Sequence, residues 1–372
     1  MKRRSVFSLL GIGVTALVLN ACSQKDCEPT AAAAPMATKE NVKPIQWKLV
    51  TTWPKNFPGL GTAPERFAKD VERMSNGRLK IKVFGGGELV PPLEVFDAVS
   101  QGTAQAGHGA AYYWKGKVPA AQFFATVPFG LTAQEYNGWM HYGGGLALWR
   151  ETYKPFGLVP YAAGNTGVQM GGWFNKEINS LSDLEGLKMR IPGLGGEVLQ
   201  RAGGTPVNLP GGEIFTALQT GTIDATEWVG PYNDLATGLH KVAKFYYYPG
   251  WHEPGTALEL IVNEKALKAL PEDLQAIVEV AARAANQDML DEYTARNNVA
   301  LTELVDQHGV QVKRFPDDVI KALHKISDEV VAEIAGQDEM AKKVYDSFVE
   351  FRDRVVPYHE LSEKAYIDAR AQ

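Results

Sequence analysis

"EIFTALQTGTIDATEW", residues 213–228, lines up without gaps on "EVFDAVSQGTAQAGHG", residues 94–109. The offset is 119 residues, and Glu94, Phe96, Ala98, Gly102, Thr103 and Ala106 match Glu213, Phe215, Ala217, Gly221, Thr222 and Ala225. Each copy reads as a helix, a glycine stop and a short strand that opens into a loop. Chance similarity between two helix–turn–strand units is the alternative. The reading adopted is two related α/β lobes, each presenting the loop after this strand to a shared cleft, because ligands of open α/β sheets gather at the carboxyl ends of strands. His108–Tyr113 of lobe one then faces Glu227–Trp228 of lobe two. Glu227 stands among large side chains, so its carboxylate needs a partner there.

Working outward, "IQWKLVTTW" (45–53) alternates as a first strand. "GTAPERFAKDVERMSNG" follows as an amphipathic helix, with Pro64 near its start and Gly77 as its stop. "RLKIKVFGGG" (78–87) is the next strand, and strand–helix–strand order points to a parallel α/β sheet. "LSDLEGLKMRIPG" (181–193) repeats the strand-into-loop design, which puts Arg190 near a strand's C-terminal end on the cleft side. The helical pattern from Pro271 to Gln307 is about 55 Å long at ~1.5 Å per residue and suits a helix spanning both lobes; a kinked pair is the alternative. Two further helical stretches, roughly 316–335 and 338–370, finish the chain.

The boundaries expected are a leader at 1–22, a tether at 23–44, the first part of lobe I at 45–165 and lobe II at 166–254. Returning strands and the spanning helix occupy 255–335, and C-terminal helices that suit dimerisation occupy 336–372.

The leader "MKRRSVFSLLGIGVTALVLNAC" has a basic start, an apolar run too short to span a bilayer, and Ala21 before Cys22. This is the layout of an export signal ending in a lipobox, with Cys22 as the acylated residue; an ordinary cleaved signal is the alternative. Arg3-Arg4 also suits a twin-arginine signal. The only cysteines are Cys22 and Cys27, so the folded body has no disulfide, thiolate metal site or cysteine nucleophile. Net charge is −5 and the basic residues are scattered, which excludes a nucleic-acid surface.

Catalytic signatures are missing: no Gly-x-Ser-x-Gly elbow, Walker loop or His-Glu-x-x-His occurs. "GLGGEV" (193–198) lacks the last glycine of a dinucleotide fingerprint, and His252-Glu253 in "GWHEPG" has no second histidine at helical spacing. What remains is a binding constellation. Arg190 offers a fork of donors suited to a carboxylate. Glu227, Glu253, the Gln169 amide and backbone carbonyls near Trp228 offer hard oxygens suited to Na⁺ or Ca²⁺. Tyr112, Tyr113, Trp114, Trp173, Trp228 and Trp251 are candidates to wall the cleft; a surface salt bridge, a solvated carboxylate and plain core are the blander readings.

With "GLKMRIPG", "LQTGTIDATEWVGPYND" and "YYYPGWHEPG" in view, the chain resembles the extracytoplasmic substrate-binding proteins of TRAP transporters, the DctP-like family, over nearly all of residues 46–365. Within it, the chain is similar to the TakP-like branch that binds 2-oxo acids such as pyruvate, and lactate. The resemblance implies an α/β, two-lobed periplasmic-binding-protein fold that closes on a small organic acid and delivers it to sodium-coupled membrane permease subunits. It implies that Arg190 clamps the substrate carboxylate. Gln169, Glu227, Trp228 (through its carbonyl) and Glu253 would hold a bridging Na⁺ or Ca²⁺, and Tyr112 would cover the ligand. It also implies a homodimer through the C-terminal helices and a periplasmic location, here with a lipid anchor at Cys22. One Arg⁺ and one cation then offset two carboxylates and the substrate anion, and the adjacent oxygens of a 2-oxo or 2-hydroxy monocarboxylate close a chelate. Alternatives are a dicarboxylate or sugar-acid receptor, a sensory receptor acting on a membrane kinase, and an exported metal-assisted keto-acid enzyme.

Overall fold

The computed structural model describes residues 43–371. The leader, Cys22 and all of the tether except Lys43 and Pro44 lie outside the described residues.

The chain lays down one sheet, then a second, then returns to each in turn. Strands β1 (Ile45–Thr51), β2 (Leu79–Phe84), β3 (Ala106–Gly109) and β4 (Leu158–Asn165) build lobe I. Strands β5 (Gly172–Phe174), β6 (Lys188–Arg190), β7 (Thr205–Val207), β8 (Ala225–Thr226) and β9 (Phe245–Tyr248) build lobe II. β10 (Ala257–Asn263) then goes back to the first sheet and β11 (Gln311–Arg314) to the second. The sheet orders are β2-β1-β3-β10-β4 and β11-β9-β5-β8-β6-β7. β1 runs parallel to β2 and β3, as strand–helix–strand order dictates, while β10 enters antiparallel between β3 and β4. The chain therefore passes between the sheets three times: at 166–171, at 249–256, and along 264–310.

The two sequence echoes fold alike. Helix Val95–Ser100 leads into β3 and helix Ile214–Gln219 into β8, each preceded by a 3₁₀ turn. The matched glycines both take the left-handed conformation, Gly102 at φ 82° and Gly221 at φ 72°, where a side chain would be strained. β3 and β8 are both interior strands of their sheets, so their ends open onto the region between the lobes.

The spanning helix is a single element, Glu272–Asp306. Its first half buries Leu274, Val278, Ala281, Ala282 and Ala285 against the Tyr161, Ala163 and Leu260 face of lobe I. Farther on, Asn297 accepts the Tyr232 N–H at 3.0 Å and Glu292 accepts the Tyr232 O–H at 3.1 Å, which ties it to lobe II. Helices Asp317–Gly336 and Glu339–His359 follow, and the latter continues through a π-helical turn into Ala365–Arg370. Phe348 packs on Trp139 of lobe I, and His359 Nδ1 meets the buried Glu135 carboxylate at 2.7 Å. Beyond that pair the rod carries exposed Leu361, Tyr366 and Ile367. Among the described residues no helix is long and apolar enough to cross a membrane.

Candidate functional site

Arg190 ends β6 and Glu227 follows β8, its parallel neighbour; the Glu227 N–H donates to the Arg190 carbonyl at 3.1 Å. Register alone thus sets their side chains together. Arg190 Nη1 donates to Glu227 Oε1, with both residues essentially without solvent exposure. Two further donors are engaged: Nη2 donates to the Tyr113 hydroxyl oxygen at 3.1 Å and Nε donates to the Leu209 carbonyl at 3.2 Å. The guanidinium lies 5.2 Å from the centre of the Trp228 ring, a cation–π contact that further fixes the fork. The partner of the Glu227 carboxylate is therefore Arg190, and that ion pair sits in a desolvated cleft.

The two short passages between the sheets bring the remaining groups. Gln169 comes from the first passage and His252 and Glu253 from the second. The Gln169 N–H donates to the Glu253 carbonyl at 3.1 Å, and its Nε2 donates to Glu253 Oε2 at 2.7 Å. Thr256 Oγ1 also donates to Glu253 Oε2. Burial pushes the Glu253 carboxyl up to about 8, and the Glu227 charge beside it adds to the effect. His252 Nε2 stands 3.6 Å from Glu227 Oε2. Glu227, His252 and Glu253 offer one ligand atom each, all within 4.8 Å of one another.

This cluster has more acceptors than donors. Glu227 Oε2 and Gln169 Oε1 are buried without a hydrogen-bond partner, as are both nitrogens of His252. Two buried carboxylates face one buried arginine. A buried charge without compensation is costly, and a hard cation fits oxygens of this kind. The donor set, carboxylate and amide oxygens with one imidazole, suits Ca²⁺ or Na⁺ and departs from the thiolate-rich or multi-histidine sets of transition metals.

From lobe I come Tyr112 and Tyr113, whose rings pack edge to face at 4.8 Å. The Tyr112 side chain packs against Gly193, where an added Cβ would lie 3.0 Å from the Tyr112 Cβ and 3.2 Å from its ring. Trp228 inserts its ring between lobe I residues Trp53 and Phe57, with centroids at 6.3 and 6.1 Å. Gly211 must be glycine beneath that ring, because a Cβ would fall 2.2 Å from it.

Arg190 and Glu227 come together from neighbouring strand ends, Gln169 and Glu253 join them from the passages between the sheets, and Trp228 and Tyr112 lie at the edge. His108 does not join them. It is locked in lobe I, accepting the Trp53 indole N–H on Nδ1 at 2.8 Å and meeting the Ala163 carbonyl through Nε2 at 3.2 Å. Burial lowers its pKa to about 4, so it is a neutral core imidazole. Of the aromatic candidates, Trp114, Trp173 and Trp251 are core: Trp114 bonds Glu259, Trp173 bonds Asp234, and Trp251 stacks on Phe129. Trp53, Phe57 and Leu209 were missed. Trp53 follows a parallel strand's C-terminal end, and the rule applied to Arg190 would have marked it. His252 carries no such signal, because a lone histidine in a turn has no ligand spacing.

Residues 49–338 match the family described as bacterial extracellular solute-binding protein, family 7, DctP, and the chain belongs to it. A relative from Nostoc described as a monocarboxylate 2-oxoacid-binding periplasmic protein is 44% identical over 366 residues, 98% of each chain. Three solved TRAP solute-binding proteins are also similar. That of Colwellia psychrerythraea, with bound calcium and pyruvate, is 47% identical with a TM-score of 0.85 over 88% of this chain and 100% of its own. That of Pseudoalteromonas atlantica, with bound sodium and pyruvate, is 46% identical with a TM-score of 0.85 over 88% and 99%. That of Bordetella bronchiseptica is a mixed-occupancy dimer with copurified calcium and picolinate; it is 40% identical with a TM-score of 0.86 over 88% and 99%. The family is one of periplasmic receptors that serve membrane permeases, so the chain is a binding protein and the enzyme alternative falls.

Proposed function

We propose that this chain is the receptor of a sodium-coupled TRAP transporter for a small 2-oxo or 2-hydroxy monocarboxylate of the pyruvate or lactate kind, bound together with Ca²⁺ or Na⁺. The observation that carries the reading is the buried cluster of Glu227, His252 and Glu253 beside Arg190, with its unpartnered oxygens at Glu227 and Gln169. Gln169, Glu227, Glu253 and the Trp228 carbonyl would hold the cation, and His252 is placed to join them. Such an ion supplies a positive centre that adjacent carboxylate and keto or hydroxyl oxygens can chelate. Arg190 would take the ligand carboxylate through paired charge-assisted hydrogen bonds. Tyr113 belongs to the opposite lobe, so opening the cleft frees Nη2 for an incoming anion. Tyr112 and Tyr113 then cover the ligand on closure, a population shift driven by contacts to both lobes.

Two finer parts of the reading concern assembly. The exposed apolar residues of the terminal rod, Leu361, Tyr366 and Ile367, support pairing of two copies through their C-terminal helices. The Leu-Asn-Ala-Cys ending at Cys22 supports a cleaved signal and lipid attachment in the periplasm. The test is calorimetric titration of protein stripped by unfolding and refolding, using pyruvate and lactate with Na⁺, with Ca²⁺ and after chelation. Micromolar or tighter binding that disappears on chelation is expected. Ion-independent binding would demote Glu227 to a structural role, and no binding of either acid would discard the ligand class.

A further inference from the structure

Outside the ion cluster, two carboxylates are buried without any ion pair among the described residues: Asp234 and Glu259, at 1% and 0% exposure. Their surroundings are alike. Asp234 Oδ2 accepts the Trp173 indole N–H at 2.9 Å and the Tyr246 O–H at 2.6 Å. Glu259 accepts the Trp114 indole N–H on one oxygen and the Tyr153 O–H at 2.9 Å on the other. Each lobe thus seats one carboxylate under one tryptophan and one tyrosine. Burial pushes both carboxyls up to about 7. A buried carboxylate held only by neutral donors is a weak source of stability compared with an apolar residue of the same shape. Its position therefore asks for a different explanation.

Both carboxylates hold a loop that reaches the site. Asp234 Oδ1 accepts the Val229 N–H at 3.3 Å, directly after Trp228. The Val229 carbonyl in turn accepts the Met170 N–H at 3.0 Å, next to Gln169. One side chain so fixes the Glu227–Trp228 loop and, through it, the first passage between sheets. In lobe I, Glu259 restrains Trp114, the residue after Tyr113, whose hydroxyl meets Arg190. These are the two loops that follow β3 and β8, the equivalent strands of the sequence echo.

We infer that Asp234 and Glu259 are positioning residues of the ligand site, each anchoring the loop by which its lobe meets the bound ion or acid. The inference rests on the proposed roles of Glu227, Trp228 and Tyr113. Neither carboxylate touches ligand; each restricts a loop so that less ordering is left to be done on binding, the usual effect of groups that orient ligand-bearing residues.

The experiment is titration of Ca²⁺ and of pyruvate into the protein, four test variants and one control variant, with melting temperature measured in parallel. Asp234→Asn is expected to weaken Ca²⁺ at least about tenfold, the usual scale for residues that orient metal ligands, with pyruvate weakening in step. Glu259→Gln is expected to weaken pyruvate about tenfold and leave Ca²⁺ within about twofold, since its loop carries no proposed ion ligand. Tyr246→Phe and Tyr153→Phe keep the carboxylates but remove one donor each; they should shift the same affinities by roughly threefold, and they decide the matter if a carboxylate variant does not fold. Glu135→Gln is the control, a buried carboxylate that bonds the Thr132 N–H and His359 instead of either loop; it should lower the melting temperature and leave both affinities alone. Wild-type affinities in all four variants, with melting temperatures that fall as in the control, would reduce both residues to core groups and overturn the inference. A wild-type protein that binds neither pyruvate nor lactate, with Ca²⁺ or with Na⁺, would remove the proposed function and this inference with it.

Discussion

The loops after β3 and β8 stand on the same helix–glycine–strand unit and carry opposite chemistry. Lobe II contributes charge: Glu227 on the loop and Arg190 from the adjacent strand end, already paired with each other. Lobe I contributes Tyr112 and Tyr113, neutral rings with polar tips. The difference shows how a repeated scaffold divides labour. The charged pair is completed within one lobe, so an open cleft need not expose an unpaired arginine. Closure adds only neutral groups, which avoids the desolvation of bringing two separately hydrated charges together.

Arg190→Ala attacks the charged side and should have the largest effect. Removing one partner of a buried pair strands Glu227, and a loss of about 4 kcal/mol, roughly a thousandfold in pyruvate affinity by calorimetry, is expected. Retained affinity would move the anion elsewhere and end the division of labour. Glu227→Gln comes next. With one charged ligand fewer and the buried Arg190 left without its partner, Ca²⁺ affinity should fall about a hundredfold and the melting temperature should fall with it. Tyr113→Phe tests the neutral side: pyruvate should weaken about tenfold and Ca²⁺ not at all, and an equal loss of both would place Tyr113 among the ion's partners.

The last effect is read in stability and pH and not in affinity. The folded-state pKa of Glu259 is raised from 4.5 to about 7 by burial, so the folded state binds the proton more tightly than the unfolded chain. Its contribution is therefore fully present below about pH 4.5 and is lost as pH rises to about 7, a change on the order of 3 kcal/mol. Glu259→Gln should flatten that part of the stability–pH curve in urea titrations at pH 5, 6 and 7. An unchanged slope would mean that other carboxylates set it.

Much of this was legible in the sequence because it is local. Gly102 and Gly221 mark matched turns, Pro192 and Gly193 end the β6 strand, and the apolar spacing from Leu274 to Ala285 marks the face of the spanning helix. Arg190 and Glu227 were legible for the same reason, since strand ends can be read from their punctuation. The rest depends on residues distant in sequence. His108 sits where the loop was expected to begin, yet β3 is an interior strand and Trp53 claims the ring. His252 becomes a site residue only because the second passage between sheets runs beside Glu227. Asp234 and Glu259 look like solvated helix and strand carboxylates until their tryptophan and tyrosine donors arrive from other elements.

Gln169, His252 and Glu253 lie on the two short segments that connect the lobes, which would make the proposed ion site a pivot. A force applied at a pivot has almost no lever arm. A cation bound there can stiffen the joint, but it can do little to swing the rims of the cleft together. That torque has to come from groups set well off the axis. Two are available: the hydroxyl of Tyr113 reaching for Arg190, and the ring of Trp228 wedged between Trp53 and Phe57. Occupancy of the ion and closure of the receptor are then separate mechanical events, and a protein loaded with its cation alone would be a firmer hinge on a door still ajar.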